Sequence, residues 1–367
     1  MKSLPLVLGL FLTCSALSFT SCTPGSGGGS GGGGSSTGGS INDTAKYLAG
    51  MSGNTRSEFA LSRNSAEWKA HQGRMDGLWG THSGRRSHIK GFRSNLTGLT
   101  GPSVLFYPFG GPDYLHASAL FPGARNYVLV GLEGTDSMPD LASLSASELN
   151  RGLGGIANSL KTVTGASYFI TKDMRVDLSS TSLRGTLPLL LAQIARDGKS
   201  VSSVSAVGID SGGHLTSRSA GAACPGWHVR AGGKNIYYFK EDLSNGGLGD
   251  RRLLKFVSSK GSPVTFVKSA SYLLHQGSFS SVRDYIVNNS RGIVQDPSGV
   301  PYHYLKDSGM KINLYGNYQG PLSTFVSHHQ SDLVTAYQNG THPVKPMTFG
   351  LGYLLNPERA CVIVARR

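Results

Sequence analysis

Four charged side chains lie where a turn or strand end would offer them to a ligand: Asp113, Glu133, Asp210 and Lys268. A carboxylate in a cleft can move a proton once burial or a neighbour tunes its pKa. Glu133 closes the run NYVLVGLE, Asp210 closes VSSVSAVGID, and Lys268 sits in PVTFVKS. Asp113 follows the pair Gly110-Gly111 after SVLFYPF. We take these four as the candidate catalytic set. The three acids are expected to line one cleft, with Lys268 opposite to hold an anionic group.

Other constellations are explained as well or better by structure. His116 follows Asp113 by three residues, so the two share a helix face. With Glu133 they could form an acid–histidine cluster, but an N-terminal cap plus a helix-surface histidine is the preferred reading. Ser211 in VGIDSGGH lacks the G-x-S-x-G register of a nucleophile elbow, and no helix pattern follows it. His328 and Asp332 in SHHQSD are four apart on an expected helix. They could face one metal ion, yet a packed histidine and a solvated pair account for them equally, and no metal ligand is assigned. Asp296 is explained by the Pro-Ser-Gly turn that follows it.

The elements that must position these residues follow from apolar periodicity. Strands are expected at SVLFYPF, NYVLVGLE, VSSVSAVGID, PVTFVKS, RGIVQDPSGVPYHY (with a Pro-Ser-Gly turn), FGLGYLL and ACVIVARR, with a hairpin at WHVRAGGKNIYYF turning at Ala231 to Gly233. Helices are expected at SASELNRGLGGIANSLKTV, LRGTLPLLLAQIARDG, FSSVRDYIVNNS and STFVSHHQSDLVTAYQNG. Alternation of this kind predicts an α/β domain over 102–367, with a Rossmann-like, mainly parallel sheet flanked by helices. Residues 41–101 read as a small helical lead-in in which Trp68, Met75 and Trp79 pack.

Gly110 and Gly111 after the first strand, and an acid 23 residues after Gly110 at the end of the second, match the spacing rule for a ligand at the carboxyl edge of an open sheet. The segment Pro108-Phe109-Gly110-Gly111, followed by Gly131-Leu132-Glu133, resembles the donor-binding motif of Rossmann-type S-adenosylmethionine-dependent methyltransferases. The resemblance covers about thirty residues. It implies that Gly110 and Gly111 line the donor and that Glu133 binds its ribose. Pro112 and Asp113 depart from it: one lacks an N–H, and the other fills the helix N-terminus with a carboxylate. No Asn-Pro-Pro-Tyr-type motif is present either, so the sequence names no cofactor. More broadly, FYPFGGPD, GLE, KSASYLLH, QDPSGVPY and FGLGY together resemble an uncharacterised family of bacterial exported proteins, which implies shared fold and export.

The chain's start carries the export expectation independently. Lys2, the apolar run Leu4 to Leu12 and the small residues after it read as a signal peptide over 1–21. Phe19-Thr20-Ser21-Cys22 resembles a lipobox, so Cys22 is the expected lipidation site, with cleavage after Ser18 as the alternative. Residues 22–40 are a Gly/Ser-rich linker that would space a body from a membrane. The location expected is the cell envelope. The net charge of +14 suits an anionic envelope polymer, but basic residues are dispersed and not interleaved with aromatics, which disfavours nucleic acid. Cys224 and Cys361 could pair in an oxidising compartment. The alternative to an enzyme is a non-catalytic envelope binding or scaffold protein with a decayed pocket.

Overall fold

The structure, a computed structural model, describes residues 38–367 apart from 54–62, 138–139, 171–172, 175, 178–180, 182, 220–221 and 341. The expected signal peptide, Cys22 and most of the linker lie outside the described residues. The described residues form one compact unit.

Eleven strands make one sheet. They are β1 (Val104–Tyr107), β2 (Asn126–Gly131), β3 (Val201–Ile209), β4 (Leu215–Ser217), β5 (Gly226–Ala231), β6 (Lys234–Lys240), β7 (Val264–Val267), β8 (Gly292–Gln295), β9 (Lys311–Gly316), β10 (Val344–Lys345) and β11 (Cys361–Arg366). Their spatial order is β10-β9-β11-β8-β7-β1-β2-β6-β5-β3-β4. The fold is mixed α/β, and the sheet is mixed rather than mainly parallel. Five pairings are parallel (β7–β8, β1–β7, β1–β2, β2–β6, β9–β10). Five are antiparallel (β5–β6, β3–β5, β3–β4, β8–β11, β9–β11). The physical reason lies in the connections. A tight Gly232-Gly233 hairpin joins β5 to β6, and a Ser211–His214 turn joins β3 to β4, where a crossover helix would be needed for parallel neighbours.

Helices cover both faces. The sheet's alternation sorts side chains between two cores: Leu105, Tyr107, Tyr127 and Leu129 face one, and Val104, Phe106, Val128 and Val130 face the other. The first core is closed by α1 (Gly38–Leu48), α2 (Ala66–Gly91), α3 (Tyr114–Leu120), α4 (Ala146–Ala166) and α5 (Leu187–Arg196). The second is closed by α6 (Arg252–Ser259), α7 (Ser280–Asn289), α8 (Tyr302–Asp307) and α9 (Ser331–Gln338). Trp68 and Met75 are buried packing residues of α2, as their spacing predicts.

Two expected elements differ. The run STFVSHHQSDLVTAYQNG is not one helix: a 3₁₀ turn ends at His328, and α9 begins at Ser331. His328 and Asp332 therefore do not share a helix face, and no group of three metal-ligating side chains is found among the described residues. FGLGYLL forms no strand beyond a single Leu351–Leu354 bridge, because its glycines turn it back at once. Cys224 and Cys361 are buried free thiols. Cys361 opens β11 and Cys224 precedes β5, six strand spacings away, which is roughly 29 Å at ~4.8 Å per strand. A disulfide needs Cα atoms about 6 Å apart, so the two do not pair. Among the described residues no helix is long and apolar enough to cross a membrane.

Candidate functional site

The parallel centre of the sheet sends the carboxyl ends of β1, β2, β6 and β7 to one edge. Parallel neighbours must leave by crossovers, so their first loop residues flare apart and open a crevice. There the structure holds a cleft of about 320 Å³. Phe109 follows β1, Leu132 and Glu133 follow β2, Glu241 to Leu243 follow β6, and Ser269 to Ser271 follow β7. Tyr168, Phe169 and Ile170, beyond α4, form one wall, and Phe279 and Tyr353 complete the aromatic lining. A smaller recess of about 30 Å³ lies between Gly110, Gly111, Glu133, Lys268 and Ser269. A volume near 300 Å³ is at the low end of small-molecule sites.

Backbone strain concentrates here. Seven described non-glycine residues have φ in the left-handed region, and Phe109, Ser269 and Ser271 line the cleft. Ser167 precedes its wall, and Tyr272 lies between two lining residues. Such conformations cost of order 1–3 kcal/mol each and persist only where the surroundings dictate them. The β7 loop is dictated by three side chains. Asp296 Oδ2 accepts from Ser269 N at 2.9 Å, Ser298 Oγ from Ala270 N at 2.8 Å, and Tyr353 OH from Ser271 N at 3.1 Å. Asp296 thus does more than cap its own turn. Ser269 Oγ is buried with no hydrogen-bond partner among the described residues.

Glycine is required where the Gly110-Gly111 turn meets the end of β2. A Cβ on Gly131 would strike Glu133 Oε2 and come within 2.8 Å of the Gly111 Cα. Gly111, at φ 61°, passes the Glu133 carboxylate so closely that a Cβ would sit 3.3 Å from Oε2. Tyr238 OH donates to Glu133 Oε2 at 3.0 Å and to its carbonyl at 2.9 Å. Burial pushes the Tyr238 phenol well above its ordinary value, so it remains a donor. Glu241 N donates to the Gly131 carbonyl at 3.0 Å, which fixes Glu241 beside the end of β2. Burial raises the Glu241 carboxyl above the ordinary glutamate range, against a lowering pull from Cys224 and Arg252.

Behind the recess lies a sealed polar network. Asp113 is fully buried, and its Oδ2 pairs with Lys268 Nζ at 2.9 Å and accepts from Tyr107 OH at 2.9 Å. Oδ1 accepts from His116 N at 3.1 Å, capping α3. Lys268 also donates to the Ser167 carbonyl. Burial alone would raise the Asp113 carboxyl, but the Lys268 ammonium and the hydrogen bonds from His116 and Lys268 hold it well below the usual carboxylate range. Burial lowers His116, outweighing the pull of Asp113, so the imidazole is neutral near pH 7. An ionised Asp113 only accepts, which assigns the His116 proton to Nδ1, 3.0 Å from Asp113 Oδ2. His116 Nε2 is then left to accept from Ser167 Oγ at 3.3 Å.

The four candidate residues divide. Glu133 lines the cleft, and Lys268 borders the recess. Asp113, expected at the ligand edge, is instead sealed beneath it, because Tyr107, His116 and Lys268 occupy every direction its carboxylate faces. Lys268 is accordingly the partner of Asp113 rather than a cation opposed across the cleft. His116 is a core histidine, not a helix-surface one. Asp210 does not line the cleft. It holds the β3–β4 turn, accepting from His214 N at 2.8 Å.

Three contributors were missed by sequence reasoning. Glu241 ends an apolar strand with an acid, the same signal that marks Glu133, but that strand reads as a hairpin arm. Ser269 and Ser167 carry no pattern at all; only the tertiary structure brings them in. No family model matches this chain, and neither a curated protein nor a solved structure shows significant similarity to it.

Proposed function

We propose that the cleft at the carboxyl edge of the central strands binds and processes a polar small molecule that is neutral or cationic, on an exported, envelope-located chain anchored through Cys22. One observation carries the ligand reading. Glu133, Glu241 and Asp242 line the cleft among five aromatic rings, in a chain whose net charge is +14. Among the described residues that line the cleft and its recess the one cation, Lys268, is paired with Asp113. An anionic ligand would meet three carboxylates and no available counter-charge among the lining residues. The left-handed residues around the cleft support function rather than decay, since strain without use would be lost.

The methyl-donor reading ranks second. Gly110, Gly111 and Glu133 share one recess, as that resemblance implies, but its volume of about 30 Å³ is a single water's share of liquid. The donor's adenosine would need the larger cleft.

Thermal-shift screening of the purified chain tests both. Neutral and cationic ligands at 100 Kd should stabilise it by about 2.7 kcal/mol, and nucleotides and inorganic phosphate should not. Stabilisation by phosphates alone would overturn the reading. A shift with S-adenosylmethionine that is lost in Glu133→Ala would put the second reading first. Fatty-acid labelling in cells should vanish in Cys22→Ala; unchanged labelling would remove the anchor.

A further inference from the structure

We infer that the cleft takes a neutral sugar ring and that Glu241 and Glu133 form an acid–base pair acting on its glycosidic bond. The inference rests on the cleft being a ligand site and adds the substrate class and the roles. The two carboxylates follow the carboxyl ends of adjacent parallel strands, β6 and β2, whose residues Lys240 and Gly131 are in register. Both line the same cleft. Their surroundings differ in kind. Glu133 is nearly fully buried at 5% exposure and accepts a hydrogen bond from Tyr238. Glu241 sits beside the Cys224 thiol, and burial favours its protonated form. Two carboxyl groups held in unlike environments are how one site supplies both a proton donor and a proton acceptor.

The remaining lining selects the ligand. Aromatic rings at Phe109, Tyr168 and Phe169 offer apolar faces to the C–H face of a pyranose. Ser269 Oγ, buried and without a partner among the described residues, offers a hydrogen bond to a ring hydroxyl. A cation would be served by rings and ionised carboxylates alone. It would gain nothing from the Ser269 hydroxyl, which has no hydrogen-bond partner among the described residues.

The chemistry balances with water as the second reactant. Glu241 gives its proton to the leaving glycosidic oxygen as the C–O bond to the anomeric carbon breaks. Glu133 takes a proton from water as the water oxygen bonds that carbon. Solvent then returns the proton from Glu133 to Glu241, and an alcohol and a hemiacetal sugar leave where one acetal and one water entered.

The experiment uses the purified full chain, a panel of α- and β-linked phenyl and 2,4-dinitrophenyl glycosides, and the variants Glu241→Gln and Glu133→Gln. Dinitrophenolate leaves without protonation. Glu241→Gln should therefore lose about 10²–10⁴-fold in kcat on phenyl glycosides and far less on dinitrophenyl ones, and lose the basic limb of its pH profile. Glu133→Gln should lose on both. Melting curves matching wild type guard against simple unfolding. Equal losses for Glu241→Gln on both leaving groups would overturn its role as proton donor. Sugar binding by thermal shift with no hydrolysis across the panel would overturn the acid–base pair while leaving the cleft as a binding site. Stabilisation by amines and not sugars would overturn the sugar class alone. No stabilisation by either would defeat the ligand reading beneath it.

Discussion

Glu133 and Asp210 obey the same sequence rule, an acid at the end of an apolar strand, and come to opposite ends. Glu133 follows β2, whose neighbours β1 and β6 both run parallel to it. All three strands must release their chains at one edge and cross over the faces, so the edge opens. Asp210 follows β3, whose neighbours β4 and β5 are both antiparallel. Its chain turns back at once, and its carboxylate is consumed by the turn, 43% exposed and bonded to His214. It lies two strand spacings from β6, roughly 10 Å, with the start of β5 between. The lesson is that a strand-end acid becomes a site residue through the direction of the strands beside it.

The comparison predicts unequal sensitivity. The largest effect should come from Lys268→Met beneath the parallel edge. It strips the counter-charge from a fully buried Asp113 and should cost about 3–5 kcal/mol in urea unfolding. Adding Asp113→Asn should recover part of that loss, since the orphaned charge goes with it. No recovery in the double variant would mean that Lys268 acts by packing rather than by pairing.

Gly131→Ala comes next. Its Cβ would collide with Glu133 Oε2, which Tyr238 OH holds in place, and crowd the Gly111 Cα, which is backbone. We expect a loss of about 1–3 kcal/mol from overpacking, together with loss of ligand-induced stabilisation. Retained ligand stabilisation would separate Glu133 from the site.

Acid should weaken the fold through the helices over the first core and the loop after β7. Burial lowers His71 and His275 to about 4 and His82 to about 3, and the His82 Nε2 has no hydrogen-bond partner among the described residues. Below pH 6.5 the unfolded chain binds protons that these folded histidines refuse, so stability falls as pH falls from 6.5 toward 4. Each buried histidine contributes a slope of up to about 1.4 kcal/mol per pH unit. His82→Phe should flatten the curve by one such increment. An unchanged slope would place the acid sensitivity elsewhere. Asp113, with its pKa depressed, adds its loss only below its unfolded value of about 4.

Much of the frame was legible in the sequence because apolar runs report local periodicity. The β1–α3–β2 unit, the Gly232-Gly233 hairpin and most strands lie where the pattern puts them. Strand direction was not legible. VSSVSAVGID and NYVLVGLE have the same pattern, and nothing in either says which neighbour it will meet. The site was legible where a residue and its reason are close in the chain, as with Gly110, Gly111 and Glu133. It was not legible where burial depends on distant partners. Asp113 is sealed by Lys268 from a strand 155 residues on, and Ser167 enters only because α4 ends over His116. His328 and Asp332 fail for a local reason that sequence hides: the helix breaks between them at His329 and Gln330.

The smallest effect should fall on the antiparallel side. Asp210→Ala removes the acceptor for His214 N and the neighbouring charge of a solvent-exposed histidine. The β3–β4 turn also keeps its backbone bonds, Asp210 N to the His214 carbonyl and Gly213 N to the Asp210 carbonyl, both 3.0 Å. Those bonds do not involve the side chain, so the hairpin should survive. Ligand-induced stabilisation should match wild type, because no atom of Asp210 borders the cleft and the chain between Cys224 and Gly226 intervenes. The informative variant is therefore the exchange. If Asp210→Ala reduced ligand stabilisation as far as Glu133→Ala does, the edge beyond β5 would belong to the site, and strand direction would not be what separates the two acids.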